Sequence, residues 1–198
     1  EGELRLDDLD PESALRRQAT DLNSVVTSMR SFYATNVVAR VLASAGTTQV
    51  THNYESIPGA IPIPATLSLE LGRVISEKQQ NIVYRFVSDH SFRNRKPHAL
   101  DDFEVAALGT LRADPTRVIT EVKESLFSDR VRLIAPVIMG AACVSCHNSH
   151  VESVKKDWKV GDVRGIQEVS ITQPFADNLL SFRYLLTYFV LLALTGAS

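Results

Sequence analysis

The chain contains only two cysteines, and both stand in the string Cys143-Val144-Ser145-Cys146-His147. A structural disulfide framework needs more cysteines at wider spacing, so this chain has to fold by burying an apolar core. Its 198 residues, 44% hydrophobic and 22% charged, are enough for one domain of that kind. The formal net charge of -2 gives no reason to expect nucleic acid as a partner.

The C-x-x-C-H spacing is the attachment signature of c-type haem. Two thiols add across the two vinyl groups at one edge of the porphyrin, and the next residue then lies under the iron as an axial ligand. Residues 140–142 (Gly-Ala-Ala) are small, which lets the backbone approach a flat macrocycle closely. The string therefore predicts one covalent haem c on Cys143 and Cys146, with His147 on the iron.

Two other kinds of site use the same atoms. A zinc site can be built from Cys143, Cys146, His147 and His150, although structural zinc motifs usually separate their ligand pairs by about a dozen residues. A redox-active dithiol normally opens a helix in a βαβ unit, and the sequence around Cys143 shows no such unit. Haem attachment is the favoured interpretation, and both alternatives stay open.

The pattern of apolar residues predicts an α+β fold. A long N-terminal helix runs from Pro11 and is closed by Gly46; it is long enough that part of it should protrude or pair with another helix. A proline-rich loop over 47–64 follows. The remaining predictions are helices over 65–77 and from Asp101 and Asp102 to Asp114, strands over 81–89, 130–139 and 165–172, and a last helix opened by Pro174. This order of elements predicts an antiparallel sheet with flanking helices.

The C-terminal segment from Tyr184 onwards carries no charge and has no polar face. A spanning helix needs about 20 apolar residues, so this run is slightly short. It is interpreted as the start of a transmembrane helix, with Tyr184 and Tyr188 near the interface; the alternative is a C-terminal core helix. Residues 1–10 are acidic and polar and predict no signal peptide.

Several separated segments resemble those of a known family, and they occur in the same order. They are SFYATNVVARV, GAIPIPATLSLELG, YRFVSDHSFRNR, ALDDFEVAAL and IAPVIMGAACVSCHNSHVESVKKDWKVGDVRGIQEVSI. Together they run from Phe32 to Thr172 and are similar to the periplasmic, single-haem, c-type sensor domains with a PAS-like fold. In bacteria such domains precede histidine kinase, cyclase or chemoreceptor output domains. One departure is His90, which stands where relatives often have tyrosine.

The resemblance implies a PAS-like sheet, a covalently held haem, a signalling or redox role and export across the cytoplasmic membrane. The expected organisation is a long helix over 1–46, a haem-binding PAS-like domain over 47–173, and a C-terminal helix over 174–198 that leads into the membrane. We therefore expect a non-enzymatic periplasmic domain of an inner-membrane protein. A long exposed helix beside a membrane span is also compatible with a homodimer.

The resemblance does not fix the second axial ligand of the iron. His52, His90 and Met29 are the candidates, and an open or water-filled position is the further alternative. Methionine raises the reduction potential, a second histidine lowers it, and an open position admits NO or CO. Met29 is equally explained as a core residue.

Three further side chains are candidates for contact with the haem. Arg93 and Arg95 suit the propionates, because guanidinium groups pair with carboxylates in a bidentate way; a solvated loop is the alternative. Trp158 can cap the haem or its propionates through the indole N–H, although a core position is the simpler explanation.

Two functions follow from these predictions. The first is a sensor input domain that detects redox state or a diatomic gas. The second is a membrane-tethered monohaem cytochrome that transfers electrons. The sequence shows no recognisable distal acid–base group of a haem peroxidase, and it contains no P-loop or dinucleotide-binding fingerprint.

Overall fold

An α+β arrangement is formed by residues 11–124, 128–174 and 176–195, the parts of the chain that the computed structural model describes. The helices are α1 (Pro11–Phe32), α2 (Ala39–Ala43), α3 (Pro64–Lys78), α4 (Asp102–Ala113), α5 (Ala141–Ser149) and α6 (Ala176–Thr195). The strands are β1 (Val50–Thr51), β2 (Ile61–Pro62), β3 (Ile82–Val87), β4 (Ile119–Glu124), β5 (Ser128–Ile138) and β6 (Val163–Pro174). A π-helical segment, Tyr33–Val38, joins α1 to α2.

The main sheet has four antiparallel strands in the order β3-β6-β5-β4. Strands β4, β5 and β6 follow one another as a meander, and β6 also pairs with β3, which places β6 inside the sheet. β1 and β2 form a separate parallel pair. The predicted α+β class with an antiparallel sheet is confirmed, and the arrangement is consistent with a PAS-like fold.

Helix α1 covers one face of the sheet. Leu15, Ala19 and Val26 recur at helical spacing and are buried. They share a core cluster with sheet residues Ile82, Tyr84, Val131, Leu133, Ala135, Val169 and Ile171. The first half of the helical stretch from Pro11 to Ala43 is thus part of the core, and the exposed Phe32 and Leu42 lie further along it.

Helix α4 covers the other face. Ala107, Leu108 and Leu111 pack with a second set of buried residues, which includes Val87, Ile134, Val163 and Ile166. The helix begins where the sequence predicts, because Asp101 and Glu104 form a capping box: the Asp101 carboxylate accepts from the Glu104 amide, and the Glu104 carboxylate from the Asp101 amide.

A cluster of charged side chains lies buried between α4 and the sheet. Arg132 is 4% exposed and donates from Nε and Nη2 to both carboxylate oxygens of Glu168, each at 2.8 Å. Arg132 Nη2 also lies 2.8 Å from Asp101 Oδ2. Glu104, which is fully buried, has its Oε1 3.2 Å from Arg85 Nη1. These contacts tie the start of α4 to three strands.

The two buried carboxyl groups of this cluster differ in pKa. Burial raises the pKa of Glu104, and the amide of Asp101 and the charge of Arg85 offset that rise only in part. Burial also opposes ionisation of Glu168, but the hydrogen bonds from Arg132 and Ser170 outweigh it and hold the pKa of Glu168 below its ordinary value. Glu104 is therefore the group of the pair that keeps a proton to higher pH.

We expect Glu104→Gln to weaken the pH dependence of folding. Because the folded-state pKa of Glu104 is raised, its contribution to stability is full below its ordinary pKa and is lost as pH rises through the raised value. Glutamine keeps the capping box but cannot ionise. Urea unfolding should be measured at a series of pH values. As the pH rises, the free energy of unfolding should fall less for the variant than for wild type. Glu77→Gln, at the exposed end of α3, is the control; an unchanged fall in Glu104→Gln would contradict the assignment.

The fold differs from the sequence predictions in several places. Strand β4 and helix α5 were not predicted, and the stretch 47–64, predicted as a loop, contains the short strands β1 and β2, which pair with each other. Pro174, expected to open the last helix, instead ends β6, where it pairs with Ser128 at the start of β5, and α6 begins at Ala176. A proline is tolerated at a strand end because little of the ladder is lost there. Residues 1–10 and 196–198, the ends of the predicted terminal segments, lie outside the described residues.

Helix α6 exposes a long run of apolar side chains, among them Tyr184, Tyr188, Phe189 and Leu191. Among the helices of the described residues, none combines the length and the hydropathy needed to cross a bilayer.

Candidate functional site

Helix α5 carries the C-x-x-C-H string and follows directly on β5. Gly140 precedes the helix in an extended conformation, and the two cysteines lie one turn apart, on the same side of the helix. Both thiols are free and exposed. His147, one residue further on, is half-buried. The thiols are thus accessible from solvent, while the neighbouring imidazole points toward the protein.

The loop that holds α5 is closed at its base by reciprocal hydrogen bonds. The Met139 amide donates to the Asp162 carbonyl and the Gly161 amide to the Met139 carbonyl, both at 2.9 Å. On the helix itself, the Asn148 side chain donates to the Trp158 carbonyl at 2.9 Å and accepts from the Trp158 amide at 3.0 Å. These four bonds fix the orientation of α5 relative to β5 and β6.

The His147 imidazole lies against an aromatic ring and a guanidinium group. The ring centroids of His147 and Phe92 are 5.0 Å apart. Arg164 Nε donates to His147 Nδ1 at 3.3 Å. Burial, followed by the charges of Arg164 and His150, lowers the pKa of His147 to about 4. The imidazole is therefore neutral at neutral pH, which is the form that binds a metal.

Arg164 comes from a β-bulge at the start of β6. The pairing of β5 with β6 shifts register between Val137 and Ile138, so Arg164 is left without a partner in the ladder. Its neighbour Gly165 has to be glycine, because a Cβ there would overlap the Val87 carbonyl of β3. The bulge thereby turns the Arg164 side chain toward α5.

The guanidinium group of Arg164 binds several segments at once. Besides His147, it donates to Ser88 Oγ and to the carbonyl of His90. It also lies over the Trp158 ring, 5.3 Å from the centroid. Burial lowers the pKa of Arg164 to about 10, so the group is still cationic at neutral pH. Arg164 was not predicted from the sequence; the signal that could have found it is Gly165 at the start of the predicted strand over 165–172, since a glycine in a strand is typical of a bulge.

A second imidazole lies beside the first. His150 stacks on Phe92 with ring centroids 4.9 Å apart and planes 6° from parallel. Burial, together with the charges of Arg95 and His150, lowers the pKa of His52. The predicted residue His52 is thus close enough to Arg95 and to His150, the residue that ends α5, for their charges to act on it, although the three come from distant parts of the chain.

The other predicted residues occupy different positions. His90 Nδ1 lies 2.6 Å from Asp89 Oδ1, and its ring meets Trp158 edge-on at 5.5 Å between centroids. Trp158 is 5% exposed, as a core residue would be. The exposed Arg93 donates from Nη1 to the Val151 carbonyl at 3.4 Å.

Met29 is half-buried on α1. Its neighbour Arg30 donates to Gln167 Oε1 and lies over the ring of Phe86, 5.2 Å from the centroid, so this part of α1 packs on the sheet. His98 Nδ1 accepts from the Ser88 amide at 2.9 Å.

The donor set on α5 fits a covalently attached haem. Two free thiols on one helix side and a neutral imidazole in the next position are the groups that such a cofactor requires. Phe92 offers an apolar ring beside His147, and the amide of Arg95 donates to the Phe92 carbonyl at 2.9 Å, so the predicted cation belongs to the same turn. Within residues 11–124, 128–174 and 176–195, no group of three or more His, Cys, Asp or Glu side chains is arranged to hold a metal ion, so the four residues of the zinc alternative are not gathered.

Comparison with known proteins gives one family and one similar structure. Residues 9–172 match the Tll0287-like family. The fold is similar to that in a crystal structure of the cyanobacterial heme-protein Tll0287, with a TM-score of 0.56 and 16% sequence identity. That alignment covers 83% of this chain and 97% of the other. No curated protein matches the sequence.

Proposed function

Because this chain belongs to the Tll0287-like family, we propose that it binds one haem covalently, through Cys143 and Cys146, with His147 as an axial ligand. The observation that carries this proposal is the arrangement on α5 of two exposed thiols and one neutral imidazole. The similarity of the fold to that of a haem protein supports it. When bound, the haem supplies an iron that takes up and releases one electron or binds a diatomic gas.

The residues of the site then have separate roles. Cys143 and Cys146 tether one edge of the macrocycle, and His147 supplies the nitrogen ligand. Phe92 keeps water from one side of the imidazole. Arg93 and Arg95 provide positive charge for the propionates. Trp158 holds the loop after α5, because its backbone is bonded to Asn148 and its ring is buried, and its contact with the haem stays a prediction.

His52, Met29 and His90 all remain predictions for the second axial ligand. The charge of His150, at the end of α5, acts on His52, and Met29 is half-buried on α1. The ring of His90 is already held by Asp89 and Trp158.

The role proposed for the haem is that of a sensor for redox state or a diatomic gas in the periplasmic part of an inner-membrane protein. Strand β6 supports this role, because it begins beside His147 and is followed by the apolar helix α6, which we propose leads to the membrane. The exposed apolar residues Val25, Phe32 and Leu42 on the N-terminal helix suit pairing with a second copy in a homodimer.

Electron transfer by a membrane-tethered cytochrome is the second candidate. The exposed thiols favour it, because a haem attached there would have one edge at the surface. Titration of the reduced protein with CO separates the two candidates in part: binding at low concentration supports gas sensing, while a haem that stays six-coordinate supports redox sensing or electron transfer.

Loss of both thiols should abolish covalent attachment. We expect protein co-expressed with a cytochrome c maturation system to keep its haem through denaturing electrophoresis and acid–acetone extraction. The double variant Cys143→Ser/Cys146→Ser should lose all haem under both treatments, since no thioether can form. Ser145→Ala, between the two cysteines, is the matched control and should retain haem. Colourless wild-type protein would overturn the proposed function.

A further inference from the structure

An exposed stripe of side chains runs along the N-terminal helix, beside the face that packs on the sheet. On α1 its members recur at steps of three and four residues, and all of them are exposed: Ala14, Gln18, Asp21, Val25, Ser28 and Phe32. A π-helical turn takes up one more residue than an α-helical turn, so the segment Tyr33–Val38 moves the stripe on by about one position. The stripe therefore continues at the exposed residues Asn36, Arg40 and Ala43, next to Leu42.

The stripe carries opposite charges at two places, Asp21 and Arg40. Among the residues that the structure describes, neither of these side chains forms an ion pair. The stripe has no charge between them, because Arg30 points to the sheet, where it donates to Gln167 Oε1 and lies over the ring of Phe86. Such a face is complementary to a second copy of itself when the two helices are antiparallel. In a parallel pair, each charge would meet its own copy and be repelled.

A groove of about 510 Å³ borders the first half of the stripe, between α1 and the start of β3. The stripe supplies its helix wall, and Ile82 lies on the strand side. Near the other end of the stripe, Leu42 is 67% exposed. Transfer of a leucine side chain from water to a partly apolar groove is favourable. The chain therefore carries both an exposed apolar side chain and a groove that suits it, at separate places on one helix.

We propose that a second copy of this chain covers the stripe, with the two N-terminal helices antiparallel and Asp21 of each copy paired with Arg40 of the other; this inference rests on the homodimer of the proposed function. In that register Leu42, two residues beyond Arg40, lies level with the position two residues before Asp21, in the middle of the groove of the other copy. Both contacts occur twice, because a two-fold interface uses the same surface on each copy. Ser28 and Ser31, near the midpoint, are small enough for the helix backbones to approach closely.

Charge reversal separates antiparallel from parallel pairing. In sedimentation equilibrium at low salt, we expect Asp21→Arg and Arg40→Asp each to raise the dimer Kd about tenfold, because each turns two attractive pairs into repulsive ones. The combination Asp21→Arg/Arg40→Asp should bring the Kd back to that of wild type, since both pairs form again with the charges exchanged. In a parallel dimer, a single reversal would leave the Kd unchanged. A combined variant that binds no more tightly than the single variants would overturn the proposal.

Leu42→Ala tests the contact with the groove. We expect it to raise the dimer Kd about tenfold or more, because two leucine side chains leave the interface, and to keep the far-UV circular dichroism of wild type. Val105→Ala, at an exposed position on α4, is the matched control and should leave the Kd unchanged. A monomeric wild type would overturn the proposal, as would association that survives both Leu42→Ala and the charge reversals, the result expected if α6 drives it.

Haem retention in denaturing electrophoresis, measured on the same samples, separates this inference from the proposed haem attachment. Wild-type protein that dimerises as described but carries no haem would refute the attachment alone. Wild-type protein that retains haem but stays monomeric would refute the dimer alone.

Discussion

Replacement of Arg132 by methionine is expected to destabilise the protein by about 3–5 kcal/mol, because it leaves a buried carboxylate without its cation. Glu168 is 1% exposed, and both of its oxygens accept hydrogen bonds from Arg132. The change also removes a cation from Asp101 at the start of α4. Urea unfolding at neutral pH should show the loss directly, as a lower midpoint with an unchanged slope.

Arg130→Met is the matched control, because it makes the same exchange two residues earlier on the same strand. Arg130 is exposed and donates to Ser170 Oγ at 3.2 Å, so its loss should cost no more than about 1 kcal/mol. The double variant Arg132→Met/Glu168→Leu should recover much of the lost stability, since an apolar pair can replace a buried ion pair. Equal losses in Arg132→Met and Arg130→Met would show that the buried charges do not depend on each other.

Gly72→Ala is expected to cost about 3 kcal/mol, although alanine is the better helix former. A Cβ at position 72 would overlap the ring of Tyr84 on β3. That ring cannot move aside easily, because it is buried and its hydroxyl donates to Gln167 Oε1 at 3.1 Å. The loss should appear as a lower free energy of unfolding in urea.

Gly109→Ala gives the matched comparison, because the same substitution is made inside another helix. A Cβ at position 109 meets no atom within 4 Å. Without overlap, only the gain in helix propensity is left, and we expect stabilisation by about 0.5–1 kcal/mol. The two variants should thus change stability in opposite directions. If Gly72→Ala were also stabilising, the close packing of α3 on β3 would be refuted.

Local signals in the sequence were enough to predict much of the fold. Helix α4 was predicted from Asp101 and from Asp114-Pro115, and both ends are set by contacts within a few residues. Strand β4 was missed because charged Glu121 and Lys123 interrupt its apolar pattern. It lies at the edge of the sheet, where such residues reach solvent, and it forms because β5 offers a partner.

The candidate site shows the same division between local and long-range information. Cys143, Cys146 and His147 are found together because the chemistry needs them adjacent in the sequence. Arg164 and Phe92 were not predicted as neighbours of His147, since only the pairing of β3 with β6 and the fold of the loop after β5 bring them there. Apolar residues that repeat every two or 3.6 positions predict strands and helices, but they carry no information on such contacts between distant segments.

The interior position of β6 has a mechanical consequence. The strand is bonded to β3 along one edge and to β5 along the other, with Arg164 near its first residue and Pro174 at its last. Tension applied along its axis loads both ladders in shear, so many bonds resist together instead of opening one by one. A pull at the end near α6 is therefore shared with β3 and β5 wherever β6 is paired with them, and is not carried by its last residues alone.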